Sequence, residues 1–288
     1  MSEPVHAGDN QTSHPVLDEI RRRVNGESPQ LKLALSIEGG GMRSVVSAGM
    51  SQALLDNGVR AEYFDAVFGA SGGAFNAAYY VAGQSADCAA GYWENTGKEL
   101  IDFRRFGSRK KPAVDMDHML YGMVHSKPLN FDTVLGAKKV RPLALDMATG
   151  EVVAFEPAAT QKELLLQLRA GSAVPLIDRG HIEVDGRHYL DSCIAESIPL
   201  ETPFTLGYDA VLVLATKPLA AAPPSRFVRA KHRQLKRAVS KFYPELALVI
   251  LQDPQEKFQR AEKLRAMTDA PLDSPFAYVI SPRRSDHS

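Results

Sequence analysis

The residues best suited to chemistry lie in the string Gly69-Ala70-Ser71-Gly72-Gly73, which follows the apolar run FDAVF (64–68) and opens a helical pattern carrying Phe75, Ala78, Tyr79 and Ala82 on one face. A serine flanked at Gly69 and Gly73 between a strand and a helix fits the nucleophile-elbow pattern, whose tight turn leaves no room for side chains beside the serine. Ser71 would point away from the sheet, at the positive end of the helix that begins at Gly72. Small-x-Ser-x-small strings also arise by chance, so the weight comes from the strand before and the helix after. A serine hydroxyl is a poor nucleophile until a base takes its proton, so position alone does not make an enzyme.

A second glycine turn, Gly39-Gly40-Gly41-Met42-Arg43, lies between the strand candidate LKLALSIE (31–38) and a helix marked by Val45, Val46, Met50, Ala53 and Leu54. Acyl transfer builds negative charge on the carbonyl oxygen, and each backbone N–H aimed at that charge contributes about 3–4 kcal/mol. Glycines expose such groups and let a substrate approach them. Arg43 could add positive charge or pair with Glu38. Two other readings compete: an ordinary strand-to-helix turn, and a cradle for a nucleotide phosphate, since Gly39-x-Gly41-x-x-Ser44 is close to the dinucleotide fingerprint. Against the nucleotide, the third small position is serine, and the next strand ends in the elbow where an acidic residue would hold a ribose.

The base is harder to find. Of the eight histidines, His181 and His188 flank a hairpin, His232 sits in a basic run and His287 is close to the last residue, so none follows a buried strand as a triad histidine should. Asp191 ends an apolar strand and is followed by Ser192 and Cys193. A partly desolvated carboxylate there can act directly on a serine hydroxyl, while a turn or helix cap is the competing role.

The elements that must position these groups alternate. Two consecutive strand–glycine–helix units predict a parallel sheet with helices on its faces. VRPLALDMATGEVVAFE (140–156) reads as two strands around a turn, KELLLQLRAGSA (162–173) as a helix, and HIEVDGRHYLDS (181–192) as a hairpin turning at Asp185-Gly186. AVLVLAT (210–216) and FAYVI (276–280) are further buried strands, and a short amphipathic helix covers 16–25. The expected organisation is a flexible tail over 1–15 and one α/β domain over 16–288. With 288 residues and 44% hydrophobic content, such a domain needs no disulfide or metal staple.

The 34 basic and 34 acidic residues cancel, which argues against nucleic acid as a partner. Cys88 and Cys193 lack the spacing of a zinc ribbon, no apolar run nears the roughly 20 residues of a spanning helix, and the first fifteen residues lack a signal-peptide core. A cytoplasmic location is expected. In 113–124, Met116, Met119, Leu120 and Met123 share a helical face, suited to a core or to acyl chains. Residues 226–241 carry seven Lys/Arg and no acid, with Val228, Leu235 and Ala238 on one side, a composition suited to a solvated helix face or to peripheral contact with an anionic membrane.

Three blocks in this order, Glu38-Gly39-Gly40-Gly41-Met42-Arg43, Gly69-Ala70-Ser71-Gly72-Gly73 and Tyr189-Leu190-Asp191-Ser192, resemble those of the patatin-like phospholipases, and the resemblance extends over about 31–216. It implies a patatin-like fold with a mostly parallel central sheet sandwiched by helices, and hydrolysis of lipid acyl esters by a Ser–Asp dyad without histidine or cofactor. By position, Ser71 is the nucleophile and Asp191 the base. The 39–43 turn (Gly39, Gly40, Gly41, Met42, Arg43) and Gly72 form the oxyanion hole. Two departures stand out: Ser44 replaces a usual glycine, and Ser192-Cys193 replaces Gly-Gly or Gly-Ala after the aspartate. Ser44 is tolerable unless the backbone there needs a positive φ. Bulk after Asp191 could shift the carboxylate, which leaves a catalytically weakened, lipid-binding member as an alternative.

Overall fold

The computed structural model describes residues 14–94, 116–174, 180–219, 223–242, 253–270 and 273–283. The first elements are α1 (Pro15–Val24), β1 (Leu33–Ile37), α2 (Ser44–Asp56), β2 (Ala66–Ala70), α3 (Gly72–Val81) and α4 (Ser85–Glu94). Then come α5 (Met116–His125), α6 (Phe131–Ala137), β3 (Val140–Asp146), β4 (Val152–Ala154), α7 (Gln161–Gly171), β5 (Ile182–Val184) and β6 (Arg187–Asp191). The last are α8 (Glu201–Thr205), β7 (Ala210–Leu214), α9 (Arg226–Phe242), α10 (Pro254–Asp269) and β8 (Phe276–Ile280).

The strands join in one eight-stranded sheet of order β5-β6-β3-β2-β1-β7-β8, with β4 paired to β3. The β3-β2-β1-β7-β8 stretch is parallel, and the β5-β6 hairpin joins β3 antiparallel. Strands β1, β2 and β7 are buried along their whole length, as strands covered on both faces must be, which is why they read as continuous apolar runs. Leu33, Leu35, Ile37, Val67 and Leu212 pack on one face with α1–α6; Ala34, Phe68, Val211 and Val213 pack on the other with α8 and α10.

Several expectations shift in detail. His14 and Pro15, assigned to the tail, are ordered: His14 is buried, and its ring accepts from Val16 N–H and meets the Met267 carbonyl. Residues 1–13 lie outside the described residues. Strand β2 starts at Ala66 because a short turn (Ala61–Tyr63) and Asp65, whose carboxylate accepts Leu33 N–H at 2.7 Å, occupy the residues before it. Helix α3, expected to bury one face, buries all ten of its residues. At the hairpin, Asp185 and Gly186 both take positive φ (49° and 75°), as the Asp-Gly signal requires. The Met-rich face of α5 belongs to the core, with Met116 and Met123 buried in it.

The chain passes from β1 through β2 to β3 on one side of the sheet and returns to β7 and β8 on the other. That reversal makes β1 the topological switch point, and ligands of open α/β sheets bind outside the carboxyl ends of strands at such a point. Both glycine turns lie there.

Candidate active site

Ser71 follows β2 and caps α3 with φ 53° and ψ −129°, a region that costs a non-glycine residue about 1–3 kcal/mol and persists only when its surroundings enforce it. The surroundings are backbone. A Cβ on Gly69 would stand 2.4 Å from Ala74 Cα, and one on Gly73 would stand 2.2 Å from the Ile37 carbonyl oxygen. A Cβ on Gly39 would come within 2.2 Å of the Ala70 carbonyl oxygen and 2.8 Å of Ser71 Cβ. Glycine at 39, 69 and 73 therefore lets the end of β1, the elbow and the first turn of α3 touch directly.

Register brings the carboxylate in. Ala70 pairs with Leu143 and Ala144 pairs with Asp191, so β3 separates Ser71 from Asp191 at nearly the same level. Two sheet spacings put the backbones about 10 Å apart, and the residue between them at that level is the small Ala144. Asp191 is fully buried; its Oδ1 accepts Cys193 N–H at 2.8 Å and its own N–H donates to Ala173 O at 2.9 Å. Behind it, Gly171 lets the end of α7 sit against β3, where a Cβ would be 2.5 Å from Leu143 O.

Burial pushes the Asp191 carboxyl above the usual carboxylate range, and the adjacent Ser71 hydroxyl and Cys193 N–H partly offset that. Oδ2 makes no fully formed hydrogen bond, so the serine stands beside the carboxylate in a looser geometry than a closed bond. Ser192 and Cys193 form the short turn (Ser192–Ile194) that Asp191 caps. Burial and Asp191 raise the Cys193 thiol, so it is not a competing thiolate.

The 39–43 turn is open where the elbow is crowded. Gly40 takes φ 149° and Gly41 φ 61°. Arg43 N–H closes the turn onto Gly40 O at 3.3 Å, and the N–H groups just before it have no earlier helical carbonyl to bond. Met42 and Arg43 are exposed, and the guanidinium folds over Gly40. The Glu38–Arg43 pairing suggested by the sequence is not the contact made. Glu38 instead accepts from Thr216 N–H and Thr216 Oγ1, tying the end of β1 to the end of β7. Ser44 has φ −62°, so no positive φ opposes a serine there. Its Oγ would lie 2.4 Å from a Cβ on Gly72 and so fills the space that Gly72 leaves.

A buried polar chain beneath the site had no sequence signal beyond one asparagine in an apolar helix. Asn76 donates to Ser44 O at 2.7 Å and Ser47 Oγ at 2.9 Å, and Ser47 donates to Glu38 O at 3.0 Å. Tyr92 of α4 donates to Asn76 Oδ1 at 3.1 Å and lies 3.4 Å from Gly72 O. These bonds tie the helix after each glycine turn to the other. The histidines are engaged elsewhere: His181 and His188 are exposed and stack at 4.5 Å across the hairpin, His125 stacks on Tyr121, and His232 lies on α9. His6 and His287 lie outside the described residues.

The model of the patatin-like phospholipase family matches residues 35–204, more than half of the chain. The uncharacterized protein YjjU of Escherichia coli (strain K12) is 29% identical over 194 residues, which are 65% of this chain and 52% of that relative. The chain thus spans about half the length of the curated relative it matches. Among solved structures, VipD from Legionella pneumophila aligns over 84% of this chain and 56% of its own, with a TM-score of 0.40 and 14% identity. The chain belongs to the patatin-like phospholipase family.

Proposed function

We propose that this protein hydrolyses carboxylic esters of lipids, with Ser71 as nucleophile and Asp191 as the base. Asp191 takes the hydroxyl proton as Ser71 attacks the ester carbonyl, and the proton then passes to the departing alkoxide. A water activated by the same carboxylate releases the acyl group from the serine. N–H groups of the 39–43 turn and of Gly72 stabilise the oxyanion in both steps. A carboxylate raised by burial is a stronger base than an ordinary one, which suits a task usually given to histidine. The observation that carries this reading is the meeting of Ser71, in its strained conformation, with a buried Asp191 across Ala144.

Helix α9 supports docking to a lipid surface: its described side chains are almost all exposed, it carries seven Lys/Arg and no acid, and Phe227 is 76% exposed. No described helix is long and apolar enough to cross a membrane. The free thiols Cys88 and Cys193 fit the reducing cytoplasm.

The test is turnover of p-nitrophenyl butyrate. Ser71→Ala is expected to lower it by about 10³-fold or more, while His181→Gln and His188→Gln stay within about tenfold of wild type. Full turnover in Ser71→Ala, or a histidine change as damaging as the loss of Ser71, rejects the dyad.

A further inference from the structure

Beside the glycine turn, between the ends of β1 and β7 and the face of α10, lies a cavity of about 380 Å³. Gly39, which backs onto Ser71, and Cys193, which holds Asp191, both form part of its wall. Its floor is apolar, with Ile198, Leu219 and Leu264, and its rim carries Lys217, Lys257 and Arg260 in addition to Arg43 of the turn.

Of the carboxylates that share the cavity, Glu38 attracts Lys217, Lys257 and Arg43 without forming an ion pair with any of them. Glu38 is held by Thr216, and burial pushes it above the usual range. Glu196 accepts from Leu200 N–H, Thr202 N–H and the Thr202 hydroxyl. Glu201 pairs with Lys263, outside the cavity wall. Arg260 donates to the Ala195 carbonyl, an uncharged partner. Lys217 and Lys257 form no hydrogen bond or ion pair among the described residues. Burial of its ammonium, Lys217 and Arg260 push Lys257 below its ordinary range, and Cys193 and Glu38 only partly offset them.

From this cation-rich rim over an apolar floor, we propose that Lys217, Lys257 and Arg260 form a site for the phosphate of a net-anionic lipid head group, so that the enzyme selects anionic over zwitterionic phospholipids. The inference rests on the hydrolase reading above and adds a selectivity to it. A bare phosphodiester with an uncharged alcohol satisfies the cations. A choline head group adds a quaternary ammonium that this rim repels, and a like-charge contact in a partly desolvated pocket is costly. Free inorganic phosphate offers the same chemistry, so the experiment must separate the two sources.

The substrates are dihexanoylphosphatidylglycerol and dihexanoylphosphatidylcholine, both kept monomeric so that docking of α9 on a surface plays no part, with p-nitrophenyl butyrate as the neutral reference. Wild type is expected to favour the phosphatidylglycerol by about tenfold or more in kcat/KM. Lys217→Gln/Lys257→Gln is expected to reduce that preference to about twofold while leaving the neutral ester unchanged. Neither lysine makes a hydrogen bond or ion pair among the described residues that the substitution would break, which keeps the variant folded. Independently, sn-glycerol 3-phosphate should inhibit wild-type turnover of the neutral ester competitively, and the double variant should lose that inhibition. Equal turnover of the two phospholipids, or a preference that survives the double substitution, overturns the site. Inhibition by inorganic phosphate without any head-group preference overturns the lipid assignment in favour of a free anion. A wild type that hydrolyses none of the three esters instead refutes the hydrolase reading itself.

Discussion

The molecule contains two glycine-rich junctions of the same plan, each leading from a buried parallel strand into a helix, and they use glycine for different reasons. At the elbow the need is volume: Cβ atoms on Gly69 and Gly73 would stand 2.2–2.5 Å from backbone atoms of neighbouring segments. At the 39–43 turn the need is direction: Gly41 has nothing within 4 Å and only its φ of 61° asks for glycine, and Gly40 meets only the flexible Arg43 side chain at φ 149°. Gly39, pressed on the elbow, belongs with the first group. The crowded junction is therefore part of the core. The open one is free to face a substrate, so damage should appear as instability at the first and as lost turnover at the second.

The largest effect should come from Gly73→Ala, because the carbonyl it meets belongs to β1 and cannot move aside. Destabilisation of about 3 kcal/mol or more is expected in urea titrations, against a typical total of about 5–15 kcal/mol. A variant with an unchanged midpoint would erase the distinction between the junctions.

Asp191→Asn should separate stability from activity. It is expected to lower ester turnover by about 10³-fold and, at neutral pH, to raise the melting temperature. The sign follows from the direction of the shift. The Asp191 carboxyl is raised above 3.8 in the folded protein, so it supports the fold below that pH and the support is lost as pH rises through the higher folded value. Asparagine does not titrate, so its advantage over wild type should be small at pH 3.5 and grow as the pH rises. The acid limb of wild-type turnover should likewise lie above pH 3.8, because the base must be ionised. A variant less stable than wild type at pH 7 would contradict the burial argument.

Smaller effects belong to the open turn. Gly40→Ala forces a side chain into φ 149° and against Arg43, and should lower kcat by about ten- to a hundredfold with KM little changed, as expected for donors that act in the transition state. Gly41→Ala has space and incurs only the left-handed backbone, about 1–2 kcal/mol of stability, with turnover within about tenfold. If Gly41→Ala damages kcat more than Gly40→Ala, the roles of the two glycines are reversed.

What the sequence made legible was local. Gly69-x-Ser71-x-Gly73 announces its turn because Gly69 is crowded by Ala74 only five positions on, although Gly73 is crowded by the distant Ile37, and Asp185-Gly186 announces its hairpin by local geometry alone. The strands were legible because burial on both faces makes them continuously apolar. Contacts between distant segments were not. Glu38 finds Thr216 rather than the nearby Arg43, a partner 178 positions away that only the sheet order supplies. Helix α10 buries just Phe258, Ala261 and Leu264 and is otherwise polar, so its pattern was too thin to read, yet it brings Lys257 and Arg260 to the cavity. Helix α4 was hidden by small residues, and with it the placement of Tyr92 beneath Gly72. Asp191 stood out as a strand-end carboxylate, but its relation to Ser71 depends on β3 lying between them, which no local pattern encodes.

The most direct test of the central claim is reaction with a fluorophosphonate, followed by mass mapping of the adduct in wild type and Asp191→Asn. One adduct on Ser71, formed in wild type and slowed by orders of magnitude in Asp191→Asn, is the expected result. Labelling at another residue, no labelling of folded wild type, or equal rates in the two proteins would contradict the Ser71–Asp191 dyad.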